Sequence, residues 1–233
     1  MRHSRAMVIA ALCVALISGG TACPLGGYNP FIIPAFFVSV IDNPYFPLVP
    51  GTTFFFEADT PDGFEEVETI VTHDTKKILG VTCVVVHDIA RLDGEIIEDT
   101  LDWYAQDCHG NVWYFGEYSE TFQNGMVTGT EGSWEAGVDG AKPGIVMKAN
   151  PKVGETYRQE YYAGVAEDMA DVLSLNRLVI VQFGKFSDCL KTRDYSPLDP
   201  TLNEFKYYAP GVGQVLTKEG EGVRVELVNV TVE

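Results

Sequence analysis

The densest run of side chains able to do acid–base or metal chemistry is Asp93, Glu95, Glu98, Asp99 and Asp102. A strand alternates its side chains, so Glu95 and Asp99 would share one face and Glu98 and Asp102 the other. Neither face collects the roughly six to eight oxygens that calcium takes. No Asp-x-Asp-x-Asp-Gly loop occurs either, so a Ca2+-stabilised structural protein rests on charge alone. Paired carboxylates also suit glycoside hydrolysis, one acting as acid and the other as base or nucleophile. The candidate catalytic set is then Glu98, Asp99, Asp102 and Glu135, with Trp103, Trp113 and Trp134 as sugar platforms. A solvated acidic strand face accounts for the same residues with no chemistry at all.

Other constellations are weaker. His73, His87 and His109 show no ligand spacing for a metal, and Cys108-His109 reads as a turn that would bind a soft ion only weakly. No Gly-x-Ser-x-Gly elbow is present, and Ser133 lacks an identifiable base. Gly211 and Gly213 read as turn glycines, because no strand-to-helix context follows them. The stretch 131–144 is a candidate binding loop carrying Trp134, Glu135 and Asp139, since such loops on a rigid scaffold often hold ligand contacts. Its plainer reading is a long connection that covers one end of a sheet with Trp134 as plug. No coherent catalytic set emerges, so an enzyme is the secondary expectation.

The N-terminus has the three parts of a secretory signal: Arg2 and Arg5, the apolar run Ala6–Ile17, and small residues before Cys23. The apolar run is too short for a bilayer core of roughly 30 Å. Residues 1–22 are therefore expected to be removed, with Cys23 as the lipidation site. Gly20 stands where lipoprotein signals carry Leu, Val or Ile, and ordinary cleavage would cut at the same bond. A lipid would hold the protein at a membrane surface of the cell envelope without a spanning helix; otherwise it is secreted or periplasmic.

The formal charge is −17, and losing Arg2 and Arg5 makes it more negative still. So acidic a surface repels phosphate backbones, which excludes nucleic acid as a partner. Export permits a Cys83–Cys189 disulfide; the alternative is two buried thiols packing as small hydrophobes. No C-x-x-C pair supports a zinc or redox site.

These residues must be positioned by strands. Pro24, Pro30, Pro34, Pro44, Pro47 and Pro50 break any helix over 23–50, which reads as a tether docking Phe36, Phe37, Tyr45 and Phe46 onto the domain that follows. From residue 51 to 233, short β-type runs alternate with turn signals. Pro61-Asp62-Gly63 and Asp93-Gly94 are hairpin turns, and Cys108-His109-Gly110 joins two aromatic arms. Only 165–175 has the composition for a short helix. The expected fold is all-β and mainly antiparallel: a sandwich, or a strongly curved, partly closed barrel-like sheet.

Several segments resemble a family of uncharacterised secreted bacterial proteins, often lipoproteins. They are Ile41–Gly51 (IDNPYFPLVPG), Glu98–Asp107 (EDTLDWYAQD), Gly110–Glu117 (GNVWYFGE), 131–144 (EGSWEAGVDGAKPG) and Lys206–Gly213 (KYYAPGVG). The resemblance implies export and a β-rich domain and transfers no catalytic residue. The Cys108-His109 turn departs from that family's more usual polar turn. The leading expectation is an envelope-associated, non-enzymatic binding or structural protein enclosing an apolar or amphipathic small ligand. A secreted hydrolase is the alternative.

Overall fold

A computed structural model describes residues 27–233, the side chain of Glu221 apart; the expected signal and Cys23 lie outside the described residues. The elements are almost all strands. After the short β1 (Phe37–Val38) come β2 (Thr52–Thr60), β3 (Gly63–Ile78), β4 (Val81–Leu92), β5 (Glu95–Asp107) and β6 (Val112–Gln123). Next are the short β7 (Met126–Gly129), β8 (Trp134–Glu135), β9 (Lys142–Met147), β10 (Thr156–Arg158) and β11 (Glu160–Tyr161). Then follow β12 (Met169–Val181), β13 (Gly184–Tyr195), β14 (Phe205–Ala209), β15 (Gly213–Lys218) and β16 (Arg224–Val232).

All join one antiparallel sheet, ordered β10-β12-β13-β14-β15-β16-β2-β3-β4-β5-β6-β9-β11. Its two ends are consecutive pieces of one chain segment. β10 pairs with β12 and β11 pairs with β9, with only Gln159 between them. The sheet thus curls into a nearly closed barrel, not a sandwich. Register shifts between Val71 and Thr75, Asp102 and Tyr104, and Leu227 and Asn229 supply the bends that curvature needs.

Two hairpins follow their sequence signals. Asp93 (φ 50°) and Gly94 (φ 83°) turn β4 into β5, the left-handed pair a tight antiparallel turn demands. The helix expected near 165–175 is instead the start of β12: Ala170 and Val172 are buried while Leu173 is exposed. That period of two outweighs local helix preference once neighbouring strands are present to pair.

Alternation divides the apolar residues into two clusters. Phe54, Phe56, Val86, Leu190, Leu216 and Leu227 fill the barrel. Val81, Cys83, Val85, Trp103, Ala105 and Phe115 form a second cluster behind the β4–β6 wall, under Ala136 and Ala141 of the 131–141 loop. The expected Cys83–Cys189 bridge is therefore not made. Both cysteines are buried and free, Cys83 in the outer cluster and Cys189 in the inner one.

Part of the expected tether is core. Ile41 bridges Leu48, and both are buried inside the barrel, each such burial stabilising by about 1.5–3 kcal/mol. The loop is pinned where the β5–β6 and β14–β15 turns meet. Gln106 Oε1 accepts from the Asp42 and Asn43 amides at 3.0 and 2.9 Å, and Asn43 Nδ2 donates to the Gly110 carbonyl at 2.8 Å. The Gly211 amide donates to the Pro44 carbonyl at 2.7 Å. Phe46 reaches inward, its ring 5.4 Å from that of Tyr104 and 6.4 Å from that of Tyr208. Of the other expected aromatics, Phe37 docks edge-on against Phe115, Tyr45 packs on the core, and Phe36 stays exposed.

Closure depends on Gly144. A Cβ there would lie 2.3 Å from the Gln159 backbone carbonyl, a contact that only main-chain movement relieves. Gly144→Ala is expected to destabilise by about 1–3 kcal/mol, the usual cost of overpacking, with the loosening centred on β10 and β11. Urea unfolding and amide exchange check this; an unchanged midpoint would show that the closing segment is not held against β9.

Candidate functional site

β5 carries Glu98, Thr100, Asp102 and Tyr104 on the barrel side and Asp99, Leu101 and Trp103 on the other, as its alternation requires. Pairing across β4–β5–β6 then brings Asp102 opposite Glu117 and Thr100 opposite Ser119. Asp88 enters from β4, Glu160 from the closing segment, Asp168 from the approach to β12, and Lys206 and Tyr208 from β14. Together they surround a chamber of about 90 Å³. A second chamber, about 70 Å³ and walled by Leu48, Phe54, Phe56, Val86 and Val212, shares Phe46, Asp88, Tyr104 and Gln214 with it. One polar and one apolar compartment thus meet at the Phe46 ring.

The polar compartment has acid in excess. Lys206 is its one lysine, and that ammonium is already committed to Asp194 at 3.4 Å and Glu204 at 3.7 Å. Among the described residues no basic side chain forms an ion pair with Asp88, Asp102, Glu117 or Glu160. Some of the oxygens are answered by neutral donors: the Tyr114 hydroxyl donates to Asp102 Oδ1, and Trp134 Nε1 donates to Glu160 Oε2 at 3.0 Å. Asp88 Oδ1, Glu117 Oε2, Glu160 Oε1 and Asp168 Oδ1 have no hydrogen-bond partner among the described residues. Asp88, Glu117 and Glu160 are only 7, 4 and 3 % exposed.

Charge cannot be stored cheaply at such depth, and the acids respond by holding protons. Burial, reinforced by Asp88, pushes Asp102 well above the carboxylate range. Burial, then Asp102 and Glu160, does the same to Glu117. Burial and the neighbouring Asp168 raise Glu160 to about 8; burial raises Glu98 to about 7. Asp107 moves the other way: burial would raise it, but donors from Trp113, Asn111 and His109 outweigh that and lower it.

The carboxylates expected to form a catalytic set do not converge. Glu98 and Asp102 face the barrel interior. Asp99 lies on the outer wall, 2.8 Å from His87 Nε2. Glu135 is also outside, paired with Lys76 at 2.7 Å, and that ammonium sits 3.3 Å above the Trp103 ring. The candidate binding loop divides likewise. Trp134 is buried against Tyr114, ring centroids 5.4 Å apart, whereas Asp139 occupies an exposed turn at φ 48°. Gly116 permits this, because a Cβ there would lie 2.2 Å from the Trp134 carbonyl oxygen. Among the described residues no three His, Cys, Asp or Glu side chains converge as metal ligands do.

Sequence reasoning missed Asp88, Glu117, Glu160, Asp168 and Lys206. Only Glu117 carries a local signal, the polar phase Glu117, Ser119 and Thr121 of β6, which reads as a solvated face until closure turns it inward. Comparison with known protein families, curated proteins and solved structures finds no match.

The raised acids bind protons more tightly folded than unfolded. Their stabilisation is complete below the ordinary value of 4.5 and is lost as pH rises through about 7 for Glu98 and about 8 for Glu160. The lowered Asp107 acts oppositely, but only as pH falls below its ordinary 3.8. Urea midpoints are expected to decline from pH 5 to pH 8.5, less steeply in Glu160→Gln. A midpoint that rises over this interval would contradict the assignment.

Proposed function

We propose that this is an exported, envelope-associated binding protein, non-enzymatic, whose barrel interior receives a small amphipathic ligand. The observation that carries the reading is the adjoining pair of chambers, one apolar and one polar, sharing Phe46 and Tyr104. Sites for small molecules are concave and mostly apolar, with a few convergent polar groups that fix orientation. A cavity of about 150 Å³ accepts a molecule the size of benzene, and the two adjoining chambers, about 90 and 70 Å³, together suit a ligand with a short apolar part. The signal-like N-terminus and its Cys23 support export and a lipid anchor, as does the resemblance to secreted lipoproteins.

A hydrolase built on Glu98, Asp99, Asp102 and Glu135 receives less support, because those side chains lie on two sides of the sheet wall. Native mass spectrometry of protein purified from its own host is expected to show a small molecule that leaves on denaturation. Protein recovered at its bare polypeptide mass would count against the binding reading. Cys23→Ser is expected to move the protein from the membrane fraction to the soluble envelope fraction; an unchanged distribution would remove the anchor.

A further inference from the structure

The acidic chamber has features that a neutral polar pocket does not need. Four carboxyl groups contribute oxygens with no partner among the described residues, and three of those side chains are more than nine-tenths buried. Buried polar atoms are almost always satisfied, so several together in one small cavity mark a place where something else supplies donors. Aromatic faces stand beside them. Tyr104 and Tyr114 are stacked 4.9 Å apart, and Phe46 lies against Tyr104. Carboxylate oxygens together with ring faces are what an organic cation finds favourable. The lysine in the chamber is spent on Asp194 and Glu204, so among the described residues no basic side chain forms an ion pair with Glu117 or Glu160. A bare metal ion fits less well, because no three ligating side chains converge among the described residues.

We propose that the polar end of the ligand is an organic ammonium group, received by Asp102, Glu117 and Glu160 beside the Tyr104 ring. Its short apolar part extends past Phe46 into the chamber walled by Leu48, Phe54 and Phe56. This rests on the binding reading above and narrows it to a ligand class, an alkylammonium. As the cation enters, one of the protons that Glu117 and Glu160 hold in the empty chamber leaves to solvent, so the ammonium N–H groups donate to the carboxylate so formed and to the oxygens these two side chains leave unmatched. Trp134 Nε1 keeps Glu160 Oε2 occupied, so the free Oε1 is the one presented.

The test holds the apolar part constant and changes the charge. Butylammonium, butan-1-ol and butyrate are titrated by calorimetry into the unliganded wild-type protein and into a Glu117→Gln/Glu160→Gln double variant. Butylammonium is expected to bind wild type about ten-fold or more tighter than butan-1-ol, a difference of about 1.4 kcal/mol. The double variant is expected to lose that preference, binding butylammonium no tighter than butan-1-ol. Butan-1-ol or butyrate binding as tightly as butylammonium would overturn the cation assignment and leave the binding reading intact. A preference for ammonium that survives in the double variant would also overturn it, since other groups would then supply the charge. If none of the three binds, the binding reading itself fails. Should the double variant not fold, Glu117→Gln alone is read by the same loss of preference.

Discussion

A sheet that curls until its two ends share one strand segment removes water from its inner face, and most of what is distinctive here follows from that constraint. The inner face of β4, β5 and β6 carries Asp88, Glu98, Asp102 and Glu117. On an open sheet these would be ordinary solvated acids. Inside the barrel an ionised carboxylate loses its hydration without gaining a cation, a cost large enough that proton retention is the cheaper response. The hydroxyl of Tyr114 and the indole of Trp134 soften the cost at Asp102 and Glu160. They do not remove it.

The rest of the fold serves this enclosure. Gln159 and Gly144 let two short strand fragments complete the circuit at close quarters. The loop around Ile41 and Leu48 stops one end and brings Phe46 between the two chambers. On the opposite side of the wall, the loop after β7 covers Cys83, Phe115 and Trp103, so this part of the β4–β6 wall is buried on both faces. That double burial makes a half-polar, half-apolar strand such as β5 stable as a partition. Its Leu101 and Trp103 face the outer side while Thr100 and Asp102 face inward, Asp102 onto the chamber.

Much of the architecture was legible. The turns at Asp93-Gly94 and at 108–110 are encoded by residues that only a reversal needs, and period-two patterns located most strands. The division of Glu98 and Asp102 from Asp99 follows from alternation alone. Which side of the strand is interior does not. In β5 the apolar phase suggests the core and the polar phase suggests solvent, and closure overrules the second by burying the polar phase as well. Glu160, Asp168 and Lys206 reach the chamber only through pairings far apart in sequence, which no local pattern reports. Closure also separates Cys83 from Cys189 by placing them in different apolar clusters, although both lie in strand-like runs. The stretch after residue 165 has helical composition, yet β12 forms there because β10 and β13 offer pairing on both edges.

The central claim is that acids inside this barrel stay protonated near neutrality because they are enclosed and lack cations. Carbon-detected NMR titration of the side-chain carboxyls, assigned through single Glu→Gln and Asp→Asn variants, observes this directly. Glu160 is expected to hold its proton at pH 7 and to lose it near pH 8, with Glu117 and Asp102 also titrating well above the ordinary carboxylate range. Titration of all three near the ordinary carboxylate value of about 4 would mean that water reaches the chamber freely, contradicting the enclosure on which the proposed site depends.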